Sequence, residues 1–288
     1  MFTGSIVAMI NPFKDGAVDY DKLGELVDYH VENGTNAIIP CGTTGESPTL
    51  SHTEHGEVIG KVIETANGRI PVIAGTGSNN TSEAISLTKH AKEAGADGSL
   101  LITPYYNKPT QQGLYDHYKA ILEEVDIPII IYNVPSRTGV SISPETVARL
   151  SEFDNIVAIK EATGDIDQAS QILTLCDITV LSGDDSLTLP IMSIGGKGVV
   201  SVLANILPRE VSELTASIAK GDIKNSQKLH RSLFPLCKAM FIETNPIPVK
   251  TAMKLLGRLN GEMRLPLSKM SDKHEEQLKK VLNNHGLS

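Results

Sequence analysis

Apolar runs of strand length recur eight times along the chain and alternate with segments whose apolar residues repeat at helical spacing. Strands that are apolar throughout are typical of a parallel sheet covered by helices on its outer face. The runs are Gly4–Ile10, Asn36–Pro40, Pro71–Thr76, Gly98–Thr103, Pro128–Val134, Ile156–Glu161, Ile178–Ser182 and Gly198–Val202. Eight strand-helix units predict an α/β protein with a closed (β/α)8 TIM barrel.

Helix start signals agree with this alternation. Ser51 precedes a helical pattern that begins near Thr53, and Ser143 precedes Pro144, which is favoured in a first helical turn. After the eighth strand about 80 residues remain, and these carry helical patterns only. We therefore expect a catalytic barrel over residues 1–207 and a C-terminal helical extension over residues 208–288. The alternative is an open doubly wound sheet, but no GxGxxG motif follows the first strand.

Composition narrows the classes of function. The 288 residues include 34 acidic and 26 basic side chains, for a net charge of −8, which disfavours nucleic acid and anionic membranes as partners. Three widely spaced cysteines indicate neither a disulfide framework nor a zinc site. No apolar run reaches membrane-spanning length, and the N-terminus lacks the pattern of a signal or transit peptide. A cytoplasmic protein is the expectation.

The carboxyl ends of the barrel strands are where a TIM barrel carries its chemistry. Lys160 lies in the otherwise apolar sixth run, and burial would favour its neutral, nucleophilic amine, as a Schiff-base enzyme requires. A lysine that reaches solvent at the strand end, or pairs with Glu161, is the competing interpretation. After the second run, the segment Gly42–Glu46 offers hydroxyl groups and backbone N–H groups to a small anion, although it also fits a common turn.

Three further strand ends hold polar side chains. Tyr132 could transfer protons and Arg137 could bind a carboxylate, or they are a core tyrosine and a surface arginine. Tyr105 and Tyr106 are adjacent aromatic residues in a loop, as at many interfaces. For Asp185, in the Ser-Gly-Asp-Asp segment after the seventh run, we expect a solvated acid in a turn.

His52 and His55 are spaced as potential metal ligands beside Glu46. A zinc-dependent barrel hydrolase is therefore an alternative from a different class. The HExxH pattern is absent, and no second pair of histidines or cysteines follows another strand. We expect no metal, and capping or surface roles for both histidines.

Taken together, Lys160, GTTGE (residues 42–46), YNVPSRTG (132–139) and NPIPVK (245–250) resemble the dihydrodipicolinate synthase/N-acetylneuraminate lyase family over essentially the whole chain. GTTGE, PYYN and Arg137 are similar to the dihydrodipicolinate synthase branch. The resemblance implies a class I aldolase that condenses pyruvate with L-aspartate 4-semialdehyde to 4-hydroxy-tetrahydrodipicolinate in lysine and diaminopimelate biosynthesis. It implies no cofactor, because the lysine imine is itself the electron sink.

The same resemblance implies a role for each site residue. Lys160 would form the imine, and Tyr132 would transfer protons through Thr43 to Tyr106 of a neighbouring subunit. Thr44 and the backbone of Val200 would hold pyruvate, Arg137 would bind the semialdehyde carboxylate, and Gly183 would line the pocket. A homotetramer, built as a dimer of dimers, is the implied assembly.

The resemblance also implies inhibition by L-lysine at a pocket near the dimer interface. Pro48 departs from the family pattern, in which a small alanine is usual, and proline is expected to change the stiffness of the loop. The implied lysine-binding residues are Ser47, Pro48, His52, His55, Asn79, Glu83 and Tyr105.

Two other hypotheses remain open from the sequence. A pyruvate aldolase of the same family with a different acceptor aldehyde would carry the same lysine. A non-catalytic small-molecule sensor would keep the barrel, but it is disfavoured because all the motif residues are present together, namely Thr43, Thr44, Tyr106, Tyr132, Arg137 and Lys160.

Overall fold

Eight parallel strands close into a barrel in the computed structural model, which describes residues 2–287. Each strand pairs with its neighbour in sequence, and the first strand pairs with both the second and the eighth. A parallel bridge from Ile38 to Val72 joins the second strand to the start of the third and completes the ring. The predicted TIM barrel is confirmed. The strands are β1 Gly4–Ala8, β2 Ala37–Ile39, β3 Ile73–Gly75, β4 Gly98–Ile102, β5 Ile129–Asn133, β6 Ile156–Glu161, β7 Thr179–Ser182 and β8 Gly198–Ser201.

Helices surround the barrel and continue beyond it. They are α1 Tyr20–Glu32, α2 His52–Ala66, α3 Thr81–Glu93, α4 Gln111–Glu124, α5 Pro144–Leu150, α6 Ile166–Leu175, α7 Thr188–Ser193, α8 Pro208–Ala219, α9 Ile223–Ala239, α10 Ile247–Leu255 and α11 Asp272–Asn284. Ser51 is the N-cap of helix α2, as the sequence indicated, and it forms a capping box with Glu54. A two-stranded hairpin, Phe13–Lys14 with Ala17–Val18, follows β1. Within residues 2–287 no helix combines the length and apolar character needed to cross a membrane.

The strand pleat decides which side chains face the barrel interior. Alternate residues of a strand point to opposite faces. In β6, Ala158 packs with the apolar cluster inside the barrel, whereas Ile159 packs with the helices outside. Lys160 follows two residues after Ala158 and therefore points inward. In β5 the same alternation turns Ile130 and Tyr132 inward and Ile131 outward.

The C-terminal helices lie against the barrel and reach its mouth. Helix α8 packs beside β1, and α9 lies against α8 and the short 3₁₀ turn that follows β7. The segment between α9 and α10 carries Phe241, Thr244 and Asn245 to the carboxyl ends of the strands. The extension thus contributes directly to the surface where the polar strand ends converge.

Candidate active site

Lys160 and Tyr132 are neighbours across β6 and β5. They are register partners in the parallel ladder, and the Lys160 Nζ lies 3.8 Å from the centroid of the Tyr132 ring. Lys160 is 6% exposed and Tyr132 is 7% exposed. No carboxylate oxygen among residues 2–287 lies within 4.0 Å of the Lys160 amine, so it is not the partner of Glu161. The amine is therefore not held in an ion pair and remains open to a ligand.

Lys160 projects into a cavity of about 330 Å³, which we call the central cavity. Strand ends, the loops that follow them and the C-terminal extension all contribute to its wall. The lining residues are Ala8, Ile39, Gly42, Thr43, Thr44, Leu100, Tyr132, Val134, Ser136, Arg137, Lys160, Ala162, Gly183, Asp184, Val202, Phe241, Thr244 and Asn245. This volume is at the small end of ligand pockets, which suits molecules of a few carbon atoms.

Thr43 and Thr44 reach the central cavity from the tight loop Gly42–Glu46. Within the loop, the backbone N–H of Gly45 donates to the Gly42 carbonyl at 3.1 Å. Thr44 is buried, and its hydroxyl accepts a hydrogen bond from Asn245 Nδ2 at 3.0 Å. The loop therefore holds both hydroxyl side chains on the wall opposite the end of β6.

Arg137 lies in a single helical turn, Pro135–Thr138, directly after β5. Its guanidinium donates one hydrogen bond to the backbone carbonyl of Asn245 at 3.1 Å. A guanidinium has five N–H donors, so most remain free for an anion in the cavity. Neither a wholly surface role for Arg137 nor a purely core role for Tyr132 fits this placement.

The two acids of the Ser-Gly-Asp-Asp segment differ. Asp184 lines the central cavity, where burial raises the pKa of its carboxyl and the charges of Lys160 and Lys238 oppose that rise. Asp185 is 5% exposed and accepts hydrogen bonds from the backbone N–H groups of Val202 and Leu203, at 2.9 and 3.0 Å, and from Ser201. The expectation of a solvated acid at Asp185 is wrong, because its carboxylate caps the turn after β8.

Gly183 and Val200 occupy different layers of the site. Gly183 lines the central cavity, and a Cβ atom there would clash with Ala162, so the close approach of these two strand ends requires glycine. Val200 is fully buried in the apolar cluster inside the barrel and is absent from the cavity wall.

Tyr106 is not brought to the central cavity by its own chain. Its side chain is 89% exposed, and its backbone has a φ of 73°, which is uncommon for a residue with a side chain. A backbone hydrogen bond from its N–H to the Thr138 carbonyl, 3.2 Å long, fixes the loop beside Arg137.

A second cavity of about 440 Å³, the side cavity, adjoins the first. Six of the seven residues expected to bind lysine line it: Ser47, Pro48, His52, His55, Glu83 and Tyr105. Asn79 does not, but its side chain donates to the backbone carbonyl of Tyr105 at 3.0 Å. The two cavities share part of their wall, which includes the side chains of Thr43, Leu100, Tyr132 and Arg137.

The two histidines of the side cavity have different surroundings. His52 is 76% exposed and donates to the Glu83 carboxylate at 3.0 Å, and Ser78 donates to the other oxygen of that carboxylate. His55 is buried, so a surface role is wrong for it. Its Nε2 donates to the Gly75 carbonyl at 2.9 Å, and burial lowers its pKa. Among residues 2–287, no group of three His, Cys, Asp or Glu side chains is arranged to hold a metal ion.

Sequence reasoning missed several residues at this site. Asn245 bonds to both Thr44 and Arg137, and Glu46 forms a buried ion pair with Lys250. These residues stand inside the GTTGE and NPIPVK motifs, but about 200 residues separate the two segments, and only the folded chain brings them together.

Comparison with known proteins gives one consistent result. The Dihydrodipicolinate synthetase family matches residues 1–285. The 4-hydroxy-tetrahydrodipicolinate synthase of Geobacter sp. (strain M21) is 58% identical, with all of both chains covered. Two crystal structures are similar throughout. The chloride-inhibited dihydrodipicolinate synthase of Acinetobacter baumannii complexed with pyruvate is 48% identical, with a TM-score of 0.98 and both chains fully covered. The synthase of Cyanidioschyzon merolae with lysine bound is 41% identical, with a TM-score of 0.97 over 100% of this chain and 99% of that one.

Proposed function

This chain belongs to the dihydrodipicolinate synthetase family, and we propose that Lys160 is the residue on which it forms a Schiff base with pyruvate. Its activity is that of a pyruvate-dependent class I lyase, a 4-hydroxy-tetrahydrodipicolinate synthase, which joins pyruvate to L-aspartate 4-semialdehyde. One observation carries the assignment to Lys160: its amine enters the central cavity, is nearly buried and has no carboxylate partner within 4.0 Å among the described residues.

The reaction begins with attack of the neutral Lys160 amine on the keto carbon of pyruvate. Loss of water from the resulting carbinolamine gives the imine, whose positive nitrogen acidifies the methyl group. Removal of a methyl proton leaves an enamine, and its carbon attacks the aldehyde of the second substrate. The amino group of that substrate then attacks the imine carbon and displaces the lysine amine, so the ring closes and the enzyme is regenerated.

Tyr132 is the proton carrier that these steps need. Its ring lies against the Lys160 amine, and it lines the cavity together with Thr43. Thr44 supplies a hydroxyl to the carboxylate of pyruvate, and Gly183 leaves room on the cavity wall; Val200, absent from that wall, is left out of the proposed contacts. Arg137 binds the carboxylate of the aldehyde substrate, because its remaining donors face the cavity that Lys160 enters.

Tyr106 completes the proton path from a neighbouring subunit. In one chain its side chain is almost entirely exposed, and the loop that carries it has an uncommon backbone conformation. Such a conformation persists where surrounding contacts fix it. The smallest active unit is then a dimer, and two dimers form the tetramer.

The side cavity is the binding site for the inhibitor L-lysine. Glu83 and His52 offer polar groups at one end, and the synthase with lysine bound from Cyanidioschyzon merolae is similar over the full chain. Since Thr43, Tyr132 and Arg137 line both cavities, a ligand in the side cavity would bias the positions of catalytic side chains.

Borohydride reduction in the presence of pyruvate, followed by peptide mapping, tests the proposal. We expect a reduced pyruvate adduct on Lys160 and none in Lys160→Ala, whose turnover should fall by about 10³-fold or more. Lys250→Ala, which removes the other buried lysine of the barrel mouth, should still be modified on Lys160 if it folds. An adduct on a different lysine, or no adduct in the wild type, would reject the assignment.

A further inference from the structure

A second lysine at the barrel mouth is more deeply buried than Lys160 and has no part in the proposed chemistry. The side chain of Lys250, on α10, is 1% exposed, and that of Glu46, in the Gly42–Glu46 loop, is fully buried. The Lys250 Nζ donates to Glu46 Oε1 at 2.6 Å and to the backbone carbonyl of Asn11 at 2.9 Å. It also lies 4.3 Å from the centroid of the Phe13 ring. Every side of the ammonium group is therefore occupied.

Glu46 is held at both oxygens and in an uncommon backbone conformation. Its second oxygen accepts a hydrogen bond from the backbone N–H of Arg264 at 3.1 Å. Its φ and ψ are 53° and 35°, in the left-handed region, which costs free energy for a residue with a side chain. The loop adopts this conformation because the carboxylate is fixed from outside it. Asn11 adds a hydrogen bond from its side chain to the Gly45 carbonyl at 2.6 Å.

The segment that carries Lys250 touches the active site at two more points. Asn245 donates to the Thr44 hydroxyl, and its carbonyl accepts from Arg137. Residues 245–250 therefore contact Thr44, Arg137 and, through Lys250, Glu46 at the end of the Gly42–Glu46 loop. Lys160, by contrast, lies on β6 and is hydrogen-bonded to no side chain of this segment.

A buried ion pair is a poor source of net stability, because desolvation of both charges offsets their attraction. It is nevertheless strongly directional, since a misplaced partner leaves a charge unpaired in a region of low dielectric constant. Apolar side chains of similar volume would fill the same space without fixing where the loop sits.

We propose that Lys250 and Glu46 are positioning residues that lock the Gly42–Glu46 loop so that Thr43 and Thr44 face Lys160. This inference rests on the proposed function and deepens it. Loss of the pair should impair the steps that need the threonines, namely pyruvate binding and proton transfer, and should leave imine formation at saturating pyruvate intact.

The test compares Glu46→Gln, Lys250→Met and the double variant with the wild type. The measured rate is solvent deuterium exchange into the methyl group of pyruvate, which reports proton removal without the aldehyde. We expect each single variant to exchange at least about 10-fold more slowly, since small misplacements of catalytic groups have effects of this size or larger. The KM for pyruvate should rise, while borohydride still traps the adduct on Lys160. Lys89→Met, which breaks the exposed Lys89–Glu124 pair between α3 and α4, is the control for a lysine-to-methionine change.

The double variant separates positioning from stability. It leaves no unpaired buried charge, so its melting temperature should recover toward that of the wild type, whereas its exchange should remain slow. Exchange at the wild-type rate in the double variant would overturn the proposal and leave the pair with a role in stability alone. If the double variant does not fold, Glu46→Gln decides, because its amide oxygen can satisfy only one of the two donors; wild-type exchange there overturns the proposal. Absence of a Lys160 adduct in the wild type would reject the proposed function instead.

Discussion

Two buried lysines stand at the mouth of this barrel, and their surroundings are opposite. Lys160 extends into the central cavity with an aromatic ring on one side, and no carboxylate of residues 2–287 lies within 4.0 Å of its amine. Lys250 has a carboxylate, a backbone carbonyl and an aromatic ring around its ammonium group. The same side chain is thus open to a cavity in one place and enclosed by its partners in the other.

The contrast teaches that burial alone does not identify a nucleophile. Burial favours the neutral form of any lysine, but a partner carboxylate restores the charged form. For Lys250, burial lowers the pKa and Glu46 acts in the opposite direction. A lysine that is buried, outside any ion pair and open to a cavity has the features required of an imine-forming residue, whereas a buried and ion-paired lysine has those of a scaffold.

The largest effect expected from this comparison is on stability. Lys250→Met leaves Glu46 charged and buried, and removal of one partner of a buried pair costs about 3–5 kcal/mol. Lys160→Met replaces a lysine that is in no ion pair with an apolar side chain of similar length, so its unfolding free energy should stay within about 1 kcal/mol of the wild type or rise. Urea denaturation at one fixed protein concentration measures both.

Equal losses of unfolding free energy in the two variants would show that both lysines are structural, and the distinction between them would be wrong. A loss of unfolding free energy confined to Lys160→Met would show that Lys160, and not Lys250, is the structural lysine. Lys89→Met, at a surface pair, should change the unfolding free energy by less than about 1 kcal/mol and calibrates the experiment.

The barrel could be predicted from sequence because its strands differ clearly in hydrophobicity from the segments between them. Each is a short apolar run, buried on both faces, and all eight predicted runs overlap an observed strand. The bounds were less accurate: the run Gly4–Ile10 contains β1, which ends at Ala8. Met9 and Ile10 are fully buried but lie outside the strand. Hydrophobicity alone does not distinguish a buried strand residue from a buried residue in the loop that follows.

The next largest effect concerns Tyr106, the exposed counterpart of the enclosed Tyr132. Tyr106→Phe should lower turnover by about 10²-fold if its hydroxyl carries protons. Mixing this variant with Lys160→Ala after dissociation and reassembly should restore activity. In a mixed dimer one site combines an intact Lys160 with an intact Tyr106 from the other chain, so random pairing gives about a quarter of the wild-type rate.

Each variant reassembled by itself is the control and should stay inactive or slow. No recovery on mixing, despite mixed dimers detected by native mass spectrometry, would place the action of Tyr106 within its own chain or remove it from the reaction.

A smaller effect is expected at Arg137, whose guanidinium is only partly engaged by Asn245. Arg137→Ala should raise the KM for the aldehyde about 10- to 100-fold, the equivalent of a charge-assisted hydrogen bond or two. Borohydride trapping with pyruvate should survive. Arg137→Lys keeps the charge but not the forked geometry, so its KM for the aldehyde should lie between those of the wild type and Arg137→Ala. Equal aldehyde kinetics in all three proteins would remove Arg137 from substrate binding.

The polar contacts of the site were less readable than the barrel. Lys160 was visible because a lysine inside an apolar strand violates the local pattern. Asp185 was misjudged because its partners, the N–H groups of Val202 and Leu203, belong to another strand end. Nothing in the sequence indicated that Glu46 forms an ion pair with Lys250. Lys250 lies on α10, and only packing of the C-terminal extension against the barrel brings the two side chains together.

The smallest effect expected is at Glu83 in the side cavity. Its carboxylate already accepts hydrogen bonds from Ser78 and His52, but a carboxylate has about four lone-pair sites, so an ammonium group can still bind. Glu83→Gln should weaken inhibition by L-lysine about 10-fold, or about 1.4 kcal/mol, as loss of a half-exposed charge pair allows. Initial rates across a lysine titration measure this, each variant being normalised to its own rate without lysine.

His52→Gln, which leaves the Glu83 carboxylate in place, is the control and should change inhibition by L-lysine less. An unchanged inhibition constant in Glu83→Gln would exclude this carboxylate from lysine binding, and a wild type uninhibited at millimolar lysine would exclude the side cavity as a regulatory site.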